Sequence, residues 1–335
     1  MPKMEGMNRI SQIWRQLQRD VLSQGFAKLR YSEQSACDLY LGLTNPNSKR
    51  CLMIRVPLSI GNAVYTERNL KGLKIEKVAD PQKPECMLLS LSLLDSNYED
   101  IFDSLLLDII SRIIDVSDHK RVIKEFLGRI DKWQALLEKA SSEGLTQEQQ
   151  AGLYGELYVL RRMLATSDNV KCLAAWVGPE NGIRDFQYGS WALEVKTCRG
   201  NNHQRLQISN ERQLDVTTLE LLFLFHLSIE TQQASGETLN DMVDSVLALL
   251  QDDFSLFAQF KIKLIQAGYL AHHRVLYMSR GYIIRSQSLY EVRDQFPRIQ
   301  ENELRGGVGD VQYSIILSDC SSYLTNEVSA FQNLN

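Results

Sequence analysis

Two carboxylates and one lysine in the second half of the sequence are spaced as a catalytic group would be. Asp185 precedes Gly189-Ser190, a good two-residue hairpin turn, and Glu194 and Lys196 follow it. With the turn at this position, Asp185 lies directly opposite Glu194 on neighbouring strands. Side chains alternate between the faces of a strand, so Lys196 lies on the same face as Glu194. The pattern therefore places two carboxylates and one lysine close together on one face of the hairpin.

The opposite face of this predicted hairpin is apolar, since it carries Phe186, Leu193 and Val195. Like charges that oppose each other on a sheet repel, and a divalent cation would remove that cost. Two carboxylates, with water and phosphate oxygens, are ligands typical of Mg²⁺. A nearby lysine can orient or help to deprotonate a water. The pattern predicts metal-assisted phosphodiester hydrolysis with Mg²⁺, or Mn²⁺ as its substitute; the alternative is a surface ion pair between Lys196 and one of the acids.

Composition limits the classes of protein to consider. The 335 residues are 44% hydrophobic and 23% charged, which is typical of a globular chain long enough for two domains. A net charge of −4 argues against coating nucleic acid through bulk charge, but leaves room for a local basic patch. With no membrane-length apolar run and no secretory signal, we expect a cytoplasmic protein without membrane contact. The six scattered cysteines favour reduced thiols over a zinc site.

The hydrophobic pattern changes along the chain and indicates two domains. The first, residues 1–118, is expected to be a β-rich domain with a leading helix, and a polar break near residue 118 ends it. The second domain is expected to cover residues 119–335. The predicted elements are helices at 10–21, 101–114, 122–140, 147–164, 209–214 and 238–250, and strands at 36–43, 50–56, 72–78, 87–94, 171–177, 184–188, 191–197, 219–229, 274–278, 281–285 and 311–317.

Several segments resemble the PD-(D/E)xK superfamily, which has the restriction-endonuclease-like fold. More narrowly, they resemble a bacterial family of PD-(D/E)xK proteins encoded in defence islands beside DNA methyltransferases and helicase-like ATPases. The resemblance covers roughly residues 120 to 320. The matching segments are Gly152-Leu-Tyr-Gly-Glu-Leu-Tyr-Val-Leu-Arg161, Trp176-Val-Gly-Pro-Glu180, Arg184-Asp-Phe186, Trp191-Ala-Leu-Glu-Val-Lys-Thr197 and Gln295-Phe-Pro-Arg298.

The resemblance implies a fold and a set of site residues. The fold class is α/β (α+β), in which a β-rich N-terminal domain precedes a mixed four-stranded sheet flanked by helices in αβββαβ order. Asp185 and Glu194 would bind the metal, Lys196 would activate or position the water, and Glu156 on the first core helix would join the metal site. Helical spacing alone also allows Glu156 a solvated position at the edge of its helix. Arg184 stands where the family motif expects proline.

Four polar residues after the predicted catalytic strand are candidate phosphate contacts: Arg199, His203, Arg205 and Ser209. Charge-assisted hydrogen bonds from the basic side chains and a helix N-terminus at Ser209 suit a phosphate. A solvated loop and a plain helix cap are the alternatives.

The function predicted is a Mg²⁺-dependent endodeoxyribonuclease in restriction-type antiviral defence, with double-stranded DNA as substrate. The modest negative charge suggests a homodimer or higher oligomer, or a methyltransferase or helicase-like ATPase as partner. The N-terminal domain would bind DNA or that partner. Two alternatives are a non-catalytic DNA-binding or assembly subunit that keeps the fold, and a phosphodiesterase that acts on RNA or a nucleotide.

Overall fold

The structure is a computed structural model that describes residues 3–19, 25–45, 48–63, 68–70, 72–139, 143–199 and 205–334. Its contacts divide the chain into two compact units, residues 1–140 and 141–335. Each unit is built around its own sheet.

In the described residues, the first unit is a six-stranded antiparallel sheet with helices. The elements are α1 (Lys3–Leu17), β1 (Gly25–Arg30), β2 (Leu39–Asn45), β3 (Lys49–Pro57), α2 (Leu58–Gly61), β4 (Arg68–Leu70), β5 (Leu73–Ala79), β6 (Cys86–Leu93), α3 (Glu99–Ile113) and α4 (His119–Lys139). The strand order in the sheet is β1-β2-β3-β6-β5-β4.

Helix α4 lies in the first unit, whereas the sequence analysis placed it at the start of the second domain. The helix packs against α3, and two of its side chains bind the same carboxylate. Arg129 and Trp133 of α4 both donate hydrogen bonds to Asp108 of α3. The polar break near residue 118 is therefore a turn between two packed helices.

A mixed sheet forms the centre of the second unit, as expected for an α+β fold. Its main strands are β7 (Phe186–Tyr188), β8 (Trp191–Arg199), β10 (Leu221–Gln233) and β12 (Arg280–Glu291). Strand β10 runs parallel to β8, while β7–β8 and β10–β12 are antiparallel pairs. The two-residue strands β11 (Glu237–Thr238) and β14 (Leu324–Thr325) both pair with β12.

Different layers cover the two faces of this sheet. The larger of the two hydrophobic cores of this unit lies between one face of the sheet and four helices. These helices are α5 (Gln147–Leu164), α6 (Asn169–Ala175), α7 (Leu239–Leu250) and α8 (Phe254–Gln266). The smaller hydrophobic core lies between the other face of the sheet and three elements. These are the antiparallel strands β9 (Arg205–Ile208) and β13 (Tyr313–Ile316) and the 3₁₀ helix Glu211–Leu214. We call these last three elements the β9/β13 layer.

Most predicted elements of the second unit are confirmed, and α5 spans the predicted 147–164. Two predicted strands are wrong. The segment 171–177 is mostly helix α6, because Asp168 caps it by accepting from the Lys171 amide and its apolar residues are buried on one side. The segment 274–278 contains the short helix α9 (Arg274–Tyr277). The predicted helix at 209–214 is the 3₁₀ helix of the β9/β13 layer.

Two expectations from composition concern the whole chain. Within the described residues, no helix combines the length and the apolar character needed to cross a membrane. The six cysteines are free thiols. Burial raises the pKa of several of them, among them Cys37 to about 11, which suits unreactive core thiols.

Candidate active site

The β7–β8 hairpin has the register that the two-residue turn predicts. Tyr188 pairs with Trp191, and Phe186 pairs with Leu193. Phe186, Leu193 and Val195 all belong to the large helical core, as the alternation of side chains requires. Successive residues of β8 therefore face the helices and the β9/β13 layer in turn.

Asp185 lies just beyond the end of this ladder, so its predicted position directly opposite Glu194 is not part of the paired register. Its carbonyl instead accepts hydrogen bonds from the amides of Val177 and Gly178, both at 2.9 Å. Its carboxylate oxygen Oδ2 accepts from the Val195 amide at 2.7 Å. The aspartate is thus held by backbone on two sides at the open end of the hairpin.

Glu194 and Lys196 form a buried ion pair. The Lys196 Nζ atom lies 2.8 Å from Glu194 Oε1 and donates to Gln213 Oε1 at 3.0 Å. Glu194 is only 1% exposed, so this pair differs from the surface ion pair that was the alternative. The second carboxylate oxygen, Oε2, is buried and has no hydrogen-bond partner in the described structure. A buried carboxylate oxygen without a donor is costly unless a ligand supplies positive charge.

Glu156 reaches the same region from α5. Its Oε2 atom accepts a hydrogen bond from the Trp176 indole at 2.8 Å. A Cβ placed on Gly178 would lie 3.0 Å from Glu156 Oε2 and 3.3 Å from Asp185 Oδ1. The absent side chain of Gly178 therefore leaves a small space at which these two carboxylates converge. Glu156 also lines a cleft of about 250 Å³ whose other residues include Gln149, Asn181 and Gln266.

The indole that holds Glu156 is itself fixed by α8. Trp176 is fully buried, and its ring centroid lies 5.7 Å from that of Phe260. Lys263 donates to the Trp176 carbonyl and to the Glu180 carboxylate, each at 2.5 Å. The segment from Trp176 to Glu180 is therefore tied to α8 at both ends.

Arg184 occupies the position where the family motif expects proline, and it has a structural role of its own. Its buried guanidinium donates to the backbone carbonyls of Arg212, Gln213 and Asp215. These bonds attach the segment just before Asp185 to the 3₁₀ helix Glu211–Leu214 and to the residue that follows it. Because that helix carries the side chain that accepts from Lys196, Arg184 is a positioning residue for the lysine.

The carboxylates lie in an environment short of positive charge. Burial, followed by the charges of Glu194 and Glu156, raises the pKa of Asp185 well above its usual range. Burial and then the Glu194 charge raise the pKa of Glu156 to about 7, although the Trp176 hydrogen bond opposes this rise. Burial also raises the pKa of Glu194 against the opposing effect of Lys196. Perturbed acids grouped in this way are typical of catalytic and metal sites.

These residues fit a divalent cation. Such an ion would neutralise the clustered acids and supply a partner for the bare Glu194 oxygen. Among the described residues, no group of three or more His, Cys, Asp or Glu side chains is arranged to hold a metal ion. Water and phosphate oxygens would complete the coordination, as they commonly do for Mg²⁺.

We expect Glu156→Gln to change how stability depends on pH in the metal-free protein. The folded-state pKa is raised, so the stability that protonated Glu156 contributes is present below about pH 4.5 and lost as pH rises to about 7. Glutamine cannot ionise and can still accept from Trp176. The variant should therefore gain about 2 kcal/mol over the parent across this window, as measured by urea denaturation in EDTA. A constant difference would contradict the raised pKa.

Asp185→Asn should raise the melting temperature of the metal-free protein at neutral pH by at least about 2 °C. Asparagine removes the unfavourable charge beside Glu194 and Glu156 while its oxygen still accepts from the Val195 amide. The gain should disappear as the pH falls below about 4, where the carboxyl becomes protonated in the unfolded state as well. Asp252→Asn, at an exposed position, is the control. A clear loss of stability would instead indicate a structural ion pair.

Three of the four candidate phosphate contacts lie in described parts of the structure. Arg199 pairs with Glu148 in the first turn of α5 and also donates to Gln147. Arg205 is exposed at the start of β9. His203 lies outside the described residues. The amide of Ser209 donates to Gln213, and Asn210 rather than Ser209 stands at the N-cap of the 3₁₀ helix.

Sequence reasoning missed the residues that support the acids. Trp176 is a fully buried core residue, and its indole also holds Glu156. Gln213 and Lys263 carry no local signal, because each acts through a contact between elements distant in sequence. The motif Trp176-Val-Gly-Pro-Glu180 was the one available pointer, since both of its end residues bind Lys263.

Comparison with known proteins identifies one family. The family model DUF4420, described as "Putative PD-(D/E)XK family member", matches residues 10–318. That range contains every candidate site residue named above. No curated protein and no solved structure matches the chain.

Proposed function

The chain belongs to the PD-(D/E)XK family DUF4420, and on this basis we propose that it is a Mg²⁺-dependent DNA endonuclease of a restriction-type defence system. One observation carries the proposal: Asp185, Glu194 and Glu156 form an acidic cluster in which Glu194 is buried and the other two are partly buried, and Lys196 is bonded to Glu194. Family membership supports a nuclease-like protein. The choice of DNA, of Mg²⁺ and of a defence role is our inference.

The carboxylates of the acidic cluster would bind the metal together with water and phosphate oxygens. Asp185 and Glu194 would be the main ligands, and Glu156 would support the same ion or a second one. When bound, Mg²⁺ lowers the pKa of a coordinated water and stabilises negative charge on a phosphate. The free Glu194 oxygen and the space beside Gly178 are the features that suit this role.

Lys196 would align the attacking water. An ammonium group has three N–H donors, and two of them are engaged by Glu194 and Gln213. The third is available to a water or to a phosphate oxygen. Since the two existing bonds fix the position of Nζ, the remaining donor is directed before substrate arrives, which reduces the reorganisation needed in the transition state.

DNA binding is expected to depend on more than one chain. The net charge of −4 gives little long-range attraction to a polyanion. We therefore propose that a homodimer, or a methyltransferase or helicase-like ATPase of the same system, supplies part of the DNA contact. A protein that remains monomeric and cuts DNA alone at physiological salt would contradict this part of the proposal.

The test is cleavage of unmethylated supercoiled plasmid and phage DNA with Mg²⁺ or Mn²⁺, against EDTA and Lys196→Ala controls. We expect metal-dependent nicking or linearisation that the variant lacks. An RNA and nucleotide panel would reveal the alternative phosphodiesterase. A folded protein that binds DNA but cuts no substrate, with or without a partner, would instead favour a non-catalytic assembly subunit.

A further inference from the structure

The segment Gln295-Phe-Pro-Arg298 carries part of the family resemblance but has no place in the chemistry described above. Its phenylalanine explains how the segment is anchored. Phe296 is buried in the small core beneath the β9/β13 layer, and its ring packs edge to face on Tyr323 at 5.1 Å. Arg298 follows two residues later and is therefore held close to this layer.

Arg298 presents an unsatisfied cation. Its Nε and Nη1 atoms are both buried, and neither has a hydrogen-bond acceptor in the described structure. This contrasts with Arg184, whose buried guanidinium donates to three carbonyls. The residue as a whole is only partly buried, so its side chain keeps surface that solvent can reach. Two donors removed from water without an acceptor are unfavourable, so an arginine kept in this state suggests an anionic partner that arrives from outside.

The acids near Arg298 do not supply that partner. Tyr313 lies among Arg298, Glu211 and Glu303, whose charges all act on its hydroxyl. The carboxylate of Glu211 accepts from the backbone amides of residues 310 and 311, and that of Glu303 accepts from the amide of residue 300. Both acids are thus committed to backbone, which leaves the arginine charge available.

The β9/β13 layer also contacts Lys196, through a side chain of its 3₁₀ helix. Tyr313 of β13 pairs with Ile208 of β9. The next residue, Ser209, donates its amide to Gln213 Oε1, which also accepts from Lys196 Nζ. Arg298 and Lys196 are therefore attached to one layer on one face of the sheet.

We propose that Arg298 binds a backbone phosphate of DNA that lies across the β9/β13 layer. A planar guanidinium donates to two phosphate oxygens at once, which an ammonium cannot do in the same geometry. The proposal rests on the proposed function, because the phosphate would belong to the strand held at the Asp185 and Glu194 site. The segment Gln295-Phe-Pro-Arg298 would then contribute a phosphate-binding side chain.

The experiment measures binding of a short fluorescent DNA duplex to the full chain in EDTA over a series of salt concentrations. Arg298→Met retains the packing of the aliphatic stem and removes the charge. We expect affinity to fall about tenfold and the slope of log K against log salt to decrease by about 1. The melting temperature should stay the same or rise, because two buried donors without an acceptor are removed.

Arg293→Met is the matched control. Arg293 is exposed in the same segment, and its charge is already paired with Asp294 and Glu291. This variant should bind DNA within about twofold of the parent. Equal losses in the two variants would indicate a general effect of charge and would overturn the proposal.

Three other outcomes would also overturn it. These are a parent protein that binds no duplex, an Arg298→Met variant with unchanged affinity and slope, and a folded Arg298→Lys variant that binds as tightly as the parent. The lysine variant decides the matter if Arg298→Met fails to fold, since it keeps the charge and loses only the planar fork. DNA binding that depends on Arg298 in a protein that cuts nothing would support this site while refuting the nuclease, so the two proposals fail separately.

Discussion

Lys196→Ala is expected to reduce metal-dependent DNA cleavage by about a thousandfold while the protein stays folded. The lysine is the one cation bonded to the acidic cluster in the described structure, through its contact of 2.8 Å with Glu194. Its removal takes away the donor that would align water and leaves Glu194 without its ion pair. The measurement is the single-turnover rate of plasmid nicking at saturating Mg²⁺.

The chain contains a matched control for this prediction. Asp118-His-Lys120 has the same acid-x-Lys spacing, but Lys120 is exposed in the first turn of α4. Lys120→Ala should cut at the parent rate. An equal loss in both variants would show that the effect of lysine removal is not specific to the site.

A double variant tests whether the pair acts as a unit. Glu194→Ala should be as inactive as Lys196→Ala, and the combination should be hardly worse than either, because residues that share one catalytic task are not additive. Parent-like cleavage by Lys196→Ala would show that the buried ion pair is structural. Independent, additive losses would place the two residues in separate roles.

The hairpin that carries Glu194 and Lys196 was predictable because its determinants are local. A two-residue turn sets the register, and period two then decides which side chain faces which layer. Helix α5 was equally accessible, since Thr146 and Gln149 form a capping box at its start. Each of these inferences uses residues only a few positions apart.

The position of Asp185 depended on contacts that the sequence does not display. Its carbonyl bonds to the turn after α6, and that turn is held by Lys263 of α8. The segment at α6 was itself misread, because a short apolar run satisfies a strand pattern as well as a buried helix. Asp185 was therefore predicted to lie beside Glu194, but its backbone contacts with Val177 and Gly178 were not predicted.

The contact between α5 and β8 supports a second prediction of large effect. A Cβ on Gly155 would lie 1.9 Å from Thr197 Oγ1 and 3.2 Å from Thr197 Cβ. Gly155→Ala must therefore displace Thr197 or move the helix away from the strand, and Glu156 is the next residue on that helix. We expect a loss of about 1–3 kcal/mol in the free energy of unfolding and a cleavage rate at least about tenfold lower.

Gly152→Ala separates this clash from the ordinary effect of replacing a helical glycine. Gly152 lies one turn earlier in α5, and a Cβ there would contact nothing within 4 Å. This variant should be more stable than the parent by up to about 1 kcal/mol, because alanine favours the helix. If Gly155→Ala lowers the free energy of unfolding and Gly152→Ala raises it, the close approach of Gly155 to Thr197 is the cause of the loss.

Thr197→Ala provides the rescue. The Thr197 hydroxyl is buried without a hydrogen-bond partner, so its removal alone should cost little. In the double variant Gly155→Ala/Thr197→Ala, the severe contact with Oγ1 is gone and the nearest remaining one is the 3.2 Å approach to Cβ. We expect a favourable coupling of at least about 1 kcal/mol and partial recovery of cleavage. Recovery of stability without recovery of cleavage would mean that Glu156 does not act at the metal, whereas recovery of both would connect the packing of α5 to the chemistry through that carboxylate.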